Sequence, residues 1–492
     1  MPADLHSVPF DPVEPKAALA QLPQSAAVFA LYGAEAHAEP YIGRTPNLRG
    51  RLERLLQPSP RHPRRLQLAG RVRRIAYRHS GSDFESLLAQ FALLEQVYGA
   101  KALDRMHLRA PAFIRFLGSN PYPRITVTHR PSQREADWAY GPFASRAAAE
   151  RFADEALKLF LLRRCTDDLN PNPAHPGCVY SEMKMCLAPC YQGCTDARYG
   201  EESTAVEQFL STRGESRLVT LRTQRDQAST DLEFESAAQL HAQVQRVEAV
   251  RALAPELVRP LSQLRAVLLQ ASAAPDEVAV FLYDCGRING PVAFSTVGMR
   301  IQNEQSGSSS LFAQPMALEP VPEEPVPGET LPGETLSGDP LPGDPLSGDP
   351  LPEIPVSESQ PSSAPLLEAR DWKGLRLSPG EDAPEPPEAS APVGTSPAVS
   401  LETIPQPARL SRNLLESRLD AALSSLTNST SPATRTEHQG HLALLKRWYY
   451  RPEIRRSGEI FFPDPEGQWP VRQILRGIGR VAAKMLPPAH RA

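Results

Sequence analysis

One stretch limits what this chain can fold into more than any other. From about 304 to 407 it is built from Pro, Gly, Ser and acid, with a near-repeat VPGET, LPGET, LSGDP, LPGDP, LSGDP, LPEIP over 326–355. Such a segment cannot bury enough apolar surface to offset its chain entropy, so it reads as a disordered linker. Its repeat is too short and too rich in proline for a solenoid. The linker divides 492 residues, 52 of them proline, into a long foldable front and an 85-residue end. Length suggests about three domains, and 41% apolar residues are enough for real cores.

The formal net charge of −4 conceals an asymmetry. Between Arg44 and Arg78 there are eleven arginines against one acid, Glu53, whereas the acids gather in the later, Pro-rich part. A basic front and an acidic middle point to an anionic partner such as nucleic acid, the plainer alternative being a solvated basic surface. No apolar run approaches the roughly 20 residues of a membrane span. The opening "MPADLHSVPFDPVEPKAALAQL" has no basic region followed by an apolar core, so no secretory signal is read and a cytoplasmic protein without membrane association is expected. Six cysteines in that compartment suggest reduced thiols or metal ligands rather than disulfides.

Periodicity gives an α+β multidomain chain. Strands are expected at 25–33, 39–45 and 72–79. Helices are expected at 47–56, capped by Asn47, and at 82–100, opened by a Ser82/Glu85 capping box. A strand pair around "FIRFLG" and "RITVTHR" precedes an apolar helix, the Cys-rich segment 165–194, an amphipathic helical pair over about 203–253 and further strands at 264–301. The end reads as a helix, a hairpin across "PDPEG" and a last helix. The implied parts are an N-terminal arm (1–22), a small α/β domain (23–108), a Cys-rich domain (109–202), a helical hairpin (203–255), a β-rich segment (256–303), the linker (304–407) and a basic, aromatic C-terminal α+β module (408–492).

The cysteines run Cys165-x12-Cys178-x7-Cys186-x3-Cys190. Four thiolates so close together indicate a zinc or iron–sulfur site, and the spacing alone leaves both open. Cys194 and Cys285 stand outside the set, and a buried thiol is the expectation for Cys285.

Here a family resemblance becomes specific. The stretch "AVFALYGAEAHAEPYIGRTPNLRGRL" (27–52) resembles the start of a GIY-YIG nuclease. With "YGPF" (140–143), "RRC" (163–165) and "CVYSEMKMCLAPC", residues 25 to about 300 resemble the UvrC family of bacterial nucleotide excision repair nucleases. The resemblance implies that Cys165, Cys178, Cys186 and Cys190 hold a [4Fe–4S] cluster, with zinc the runner-up. It also implies that "LEFESAAQLHAQV" (232–244) is a UVR motif docking on UvrB in a UvrA–UvrB–DNA complex on damaged duplex DNA. Leu232, Phe234, Ala237, Ala238 and Leu240 are the contact candidates on one side of a helical hairpin; an ordinary solvated helix pair is the alternative.

GIY-YIG enzymes hold one Mg²⁺ or Mn²⁺ on a helix-borne glutamate, with two tyrosines and an arginine at the phosphate and attacking water. Phosphodiester cleavage calls for such groups: a hard anionic ligand, a proton acceptor and a cation. The resemblance places Tyr41 and Arg51 on the second tyrosine and the arginine, and Arg44 where the family usually has lysine. Phe29 falls where the first tyrosine belongs, and Gln90 where the metal glutamate does. Glu85 and Glu95 lie five residues from Gln90 on other faces of the helix; sliding the match to recruit Glu95 breaks the downstream spacing. Arg49, Arg51 and Arg54 are the candidate DNA contacts.

A second, RNase H-like nuclease domain is traceable only in its first strands at 264–301. "LRGIGRVAAKML" (475–486) resembles half of a helix-hairpin-helix, with Gly477 and Gly479 turned to a DNA phosphate, a simple C-terminal helix being the plainer reading. The expectation is a UvrC-like repair protein that binds DNA and UvrB and incises poorly or not at all. The alternatives are a single-incision GIY-YIG endonuclease and a non-catalytic regulatory adaptor; Mg²⁺ or Mn²⁺ enters only if the nuclease is active.

Overall fold

Among the described residues the chain forms three four-stranded antiparallel sheets, each covered by helices. The computed structural model describes residues 5–299 except 36, 57–67, 132 and 167–168, together with 410–427 and 433–485. Side chains of 133–135 are also left undescribed. The expected linker, 304–407, lies outside these residues.

The first sheet has the order β1-β4-β2-β3 and is built from β1 (His6–Pro9), β2 (Ala27–Gly33), β3 (Tyr41–Thr45) and β4 (Val72–His79). Helix α1 (Pro15–Ala20) and helix α2 (Leu48–Leu56) cover one face, where Leu19, Leu22, Leu48 and Leu52 bury against Phe29, Leu31 and Ile75. The expected N-terminal arm is therefore part of this domain: β1 pairs along β4, and Phe10 and Leu19 sit in its core. Helix α3 (Asp83–Tyr98) lies on the opposite face and is followed by the short α4 (Lys101–Arg105). Asn47 caps α2, its Oδ1 accepting from Gly50 N–H at 2.8 Å. Ser82 caps α3, accepting from Glu85 N–H, but Glu85 accepts from Gly81 N–H instead of closing the reciprocal box.

The second sheet has the order β6-β5-β7-β8. It joins β5 (Ala112–Phe116), β6 (Ile125–Thr128) and β7 (Ala139–Phe143) to the short β8 (Arg259–Pro260), which arrives from the far side of the helical region. Between β7 and β8 run α5 (Arg146–Leu157), the single-turn α6 (Val179–Glu182), and three longer helices, α7 (Asp196–Ser211), α8 (Glu215–Thr230) and α9 (Phe234–Ala252). All four long helices share one core with this sheet: Phe152, Tyr199, Phe209, Leu221 and Val247 meet Ile114 and Phe143. The expected boundary at 202/203 thus falls inside α7, and a third helix joins the expected pair.

The third sheet unites segments expected to be separate. Strands β9 (Ala266–Ala271), β10 (Glu277–Asp284) and β11 (Arg287–Ser295) are completed by β12 (Glu459–Phe461), which pairs antiparallel with β9. Helices α10 (Arg412–Thr427), α11 (Arg435–Tyr449) and α12 (Val471–Met485) cover it. Residues 256–303 and 408–492 therefore share one sheet, a pairing between distant segments that local composition cannot reveal. Strand β10 is buried on both sides, as its unbroken apolar run requires. Ala279, Phe281 and Tyr283 face α3 and α11, whereas Val278, Val280 and Leu282 face α10 and α12. The "PDPEG" stretch makes a turn closed by Asp464 N–H to Gln468 carbonyl at 3.0 Å and leads into α12, so no hairpin forms there. Two helices, rather than one, precede β12.

Helix α3 is the element shared by the first and third sheets. Phe84 packs edge-on to Phe281 at 5.6 Å and against Trp448, and Phe91 stands edge-on to His441.

Candidate functional site

Phe29 is central to the first sheet. It lies opposite Gly43 on β3 and Tyr77 on β4, and it is 1% exposed. Its ring covers Gly43 so closely that a Cβ at 43 would fall 2.8 Å from the ring tip, which accounts for glycine there. Tyr41, two residues earlier on the same face, is 36% exposed, its ring centroid 6.1 Å from that of Phe29. Arg51 is half-buried on α2, and its side chain makes no hydrogen bond or ion pair among the described residues. The other arginines are engaged. Arg49 donates to the carbonyls of Leu22 and Ala20, both at 2.7 Å, and so secures the end of α1. Arg54 donates to Gly50 carbonyl on its own helix. Arg44, alternating onto the α3 face, pairs with Asp83.

Helix α3 carries Gln90, half-buried, and three acids, Asp83, Glu85 and Glu95. Each acid is engaged by groups other than Tyr41 or Arg51. Asp83 lies between Arg44 and Arg451, the latter at 2.7 Å. Burial pushes its carboxyl up, but the hydrogen bonds and charges of the two arginines outweigh that and hold it below the usual range. Glu85 accepts from Gly81 N–H at 2.8 Å and pairs with Arg78 at 3.3 Å. Glu95 accepts from the hydroxyl of Thr434, the residue capping α11, at 3.1 Å; burial and the nearby Glu437 raise its carboxyl. Thr434 and Arg451 thus hold the two ends of α3.

Sequence reasoning missed a second cluster on the Phe29 face. His6 faces Tyr77 across the β1–β4 ladder with ring centroids 5.4 Å apart, and His79 stands 5.5 Å from Tyr77 and 5.8 Å from His6. Ser25 Oγ lies 2.9 Å from His79 Nδ1, which orients the imidazole. Alternation along "VRRIAYRH" places Tyr77 and His79 on one face, but their neighbour His6 comes from a distant strand.

The four cysteines lie in one loop. Cys190 is buried and the other three are half-buried. Cys178 caps α6, Cys186 Sγ accepts from Ala188 N–H at 3.3 Å, and Arg163 donates to Cys165 Sγ at 3.6 Å. Left-handed residues Lys184, Ala188 and Gln192 shape the loop. Burial pushes the Cys186 thiol up to about 11, against the Ala188 N–H that favours the thiolate, and Cys165, Cys178 and Cys190 add to the rise. Among the described residues no three His, Cys, Asp or Glu groups converge as on a single ion. Four thiols on one loop are a donor chemistry shared by zinc and iron–sulfur sites. Cys285 is exposed, contrary to expectation: it occupies the two-residue turn between β10 and β11, where Cys285 and Gly286 both have positive φ.

Of the proposed docking residues, Leu232 and Phe234 are 70% and 67% exposed at the α8–α9 tip, and Leu232 adopts a left-handed φ of 63°. Ala237 is half-buried and Ala238 exposed, while Leu240 turns back toward the core. Gly477 and Gly479 lie inside the continuous helix α12, so the structure takes the plainer reading of that segment. A helix interior has no free backbone N–H groups to offer a phosphate. Gly477 instead lets α12 approach β12, since a Cβ there would fall 2.5 Å from Phe461.

Residues 113–209 match the family described as UvrC/Cho excinuclease, middle domain. The chain is also similar to the UvrABC system protein C of Alcanivorax borkumensis, 29% identical over 211 residues, 43% of this chain and 34% of that protein. To the same protein of Ruminiclostridium cellulolyticum it is 28% identical over 275 residues, 55% of this chain and 44% of the relative. The chain thus carries a segment of UvrC middle-domain type and is similar to UvrC proteins over about half its length. No solved structure matches it. The match to the UvrC middle domain runs from β5 through the cysteine loop into α7, so it contains all four candidate ligands. The chain spans 34% and 44% of the length of these two UvrC relatives.

Proposed function

We propose that this chain acts in nucleotide excision repair as a UvrC-type protein that binds damaged duplex DNA and UvrB but incises weakly or not at all. The observation that carries the reading is the fate of the α3 carboxylates. Position 90 offers an amide, and Asp83, Glu85 and Glu95 are held by Arg44 and Arg451, by Gly81 and Arg78, and by Thr434. A hard divalent ion needs anionic oxygen, and each acid of α3 already accepts from another group. Tyr41, exposed, and Arg51, without a partner, remain for phosphate contact. The exposed Leu232 and Phe234 supply a protein-docking tip, because apolar side chains this open are stabilised by a partner's surface.

Cys165, Cys178, Cys186 and Cys190 would hold the [4Fe–4S] cluster. When bound, the cluster would cross-link a loop with little regular structure and favour the thiolate form of its ligands. Arg163 and the Ala188 N–H, both donors to sulfur, would orient and stabilise those thiolates.

The test is a nicking assay on damaged duplex with UvrA, UvrB and Mn²⁺. No incision is expected from the parent chain. Robust incision, lost on Glu95→Gln and insensitive to Gln90→Ala, would overturn the reading. The His6–Tyr77–His79 cluster favours a second reading, hydrolysis without a metal carboxylate. That reading requires incision that persists in chelator and is lost on His79→Ala.

A further inference from the structure

Helices α5, α8 and α9 enclose a cleft of about 740 Å³ remote in sequence from the nuclease-like face. Arg151, Lys158, Arg217, Gln243 and Arg246 form its rim, with Glu155 the only acid. Lys158 pairs with Glu155 at 2.7 Å. Arg151, Arg217 and Arg246 make no ion pair among the described residues. Elsewhere on the same hairpin the arginines are paired: Arg222 with Glu248 at 2.7 Å and Arg251 with Glu215 at 3.0 Å. The uncompensated charge is therefore concentrated in the cleft.

The floor narrows the choice of occupant. Leu221, Val247 and Val250 are 2%, 1% and 5% exposed, already buried by helix packing. The cleft offers an incoming molecule little apolar surface; what remains is guanidinium, with planar forks suited to phosphate oxygens. We propose that this cleft is a nucleic-acid backbone site in which Arg151, Arg217 and Arg246 each contact a phosphate of duplex DNA. The inference rests on the DNA-binding reading above and adds a second contact surface to it. The hairpin would then have two roles, protein docking at its Leu232/Phe234 tip and DNA holding near the other end of α9. Phosphate contacts of this kind position the duplex without reading its sequence.

The test uses the full chain and a fluorescein-labelled duplex oligonucleotide, with affinity measured by anisotropy between about 50 and 200 mM NaCl. Replacing Arg151, Arg217 and Arg246 together by Gln should lower the slope of log affinity against log salt by about 3, one per lost phosphate contact. Arg222→Gln, whose parent side chain is paired with Glu248, should leave the slope unchanged. A triple variant with the parent's melting temperature and the parent's salt slope would overturn the cleft assignment while leaving DNA binding intact. An equal loss with Arg222→Gln would also overturn it, because the effect would then be one of net charge. A parent that binds no duplex would sink the DNA-binding reading and this inference together. Arginine-dependent binding of polyglutamate without binding of the duplex would reassign the cleft to an acidic protein segment and overturn the proposal.

Discussion

The cysteine loop and the nuclease-like face of the first sheet belong to one chain, yet they hold different shares of the groups expected of them. The loop has all four thiols at hand, with N–H donors at Cys165 and Cys186. The sheet face has Tyr41 and Arg51 but phenylalanine at 29 and an amide at 90. A ligand set that organises a loop is needed for the fold itself, since a segment with so little regular structure has few other sources of stability. A carboxylate that only binds a catalytic ion can be lost without unfolding anything. Helix α3 has both kinds of position: Phe84, Leu87 and Phe91 are buried in the core, while Gln90 beside them is half-buried.

The largest expected effect tests the intact half of the comparison. Anaerobically purified parent protein should be brown and contain iron. Cys186→Ser should lose both and destabilise the fold around the second sheet by more than about 4 kcal/mol, the scale of a lost structural metal. Stoichiometric zinc in the parent would break the iron–sulfur side of the comparison.

The next prediction tests the other half. Gln90→Glu with Phe29→Tyr should raise Mn²⁺-dependent nicking by about 10³-fold over the parent, whereas Gln90→Glu alone should give little, because both changes act on one step. Equal rates for the single and double variants would show that the missing hydroxyl is not part of the defect.

Phe234→Ala should weaken UvrB binding by about 2–4 kcal/mol, the usual cost of truncating an aromatic anchor, and leave the melting temperature unchanged because the side chain is 67% exposed. Unaltered affinity in a titration would remove docking from the functions the chain has kept.

The smallest effect concerns the seam over α3. His441 is buried between α11, β11 and Phe91, with Nδ1 accepting from Ile288 N–H at 3.0 Å. Burial above all, then the charges of Arg287 and His438, lowers its pKa to about 3. The native state therefore holds the neutral ring. Its contribution is complete above the unfolded pKa of about 6.5 and is lost as pH falls toward 3. Denaturant titration should find the folded chain about 2 kcal/mol less stable at pH 5 than at pH 7 on this account, and His441→Gln should flatten that slope. A slope unchanged in the variant would place the acid sensitivity elsewhere.

Much of this was legible in the chain. Asn47 and Ser82 cap the helices assigned to them because capping is decided within three residues. The apolar run of β10 announced a strand, though not that helices would cover both of its faces. The domain boundaries were not legible where distant segments meet: β8 joins β7, and β12 joins β9. Composition changes mark where a chain can stop folding, not which remote strand will complete a sheet.

The sequence by itself determined the identities at positions 29 and 90, since an amide and a phenyl ring have the same donors and acceptors wherever they fold. Only the tertiary structure decided whether another acid on α3 was available instead. Helical periodicity says which residues share a face, but not what covers that face. The groups that hold Asp83 and Glu95, Arg451 and Thr434, lie 368 and 339 residues away along the chain. They meet α3 because its apolar side, Phe84 through Leu94, buries against α11 and the third sheet, and that packing carries the flanking polar groups into register.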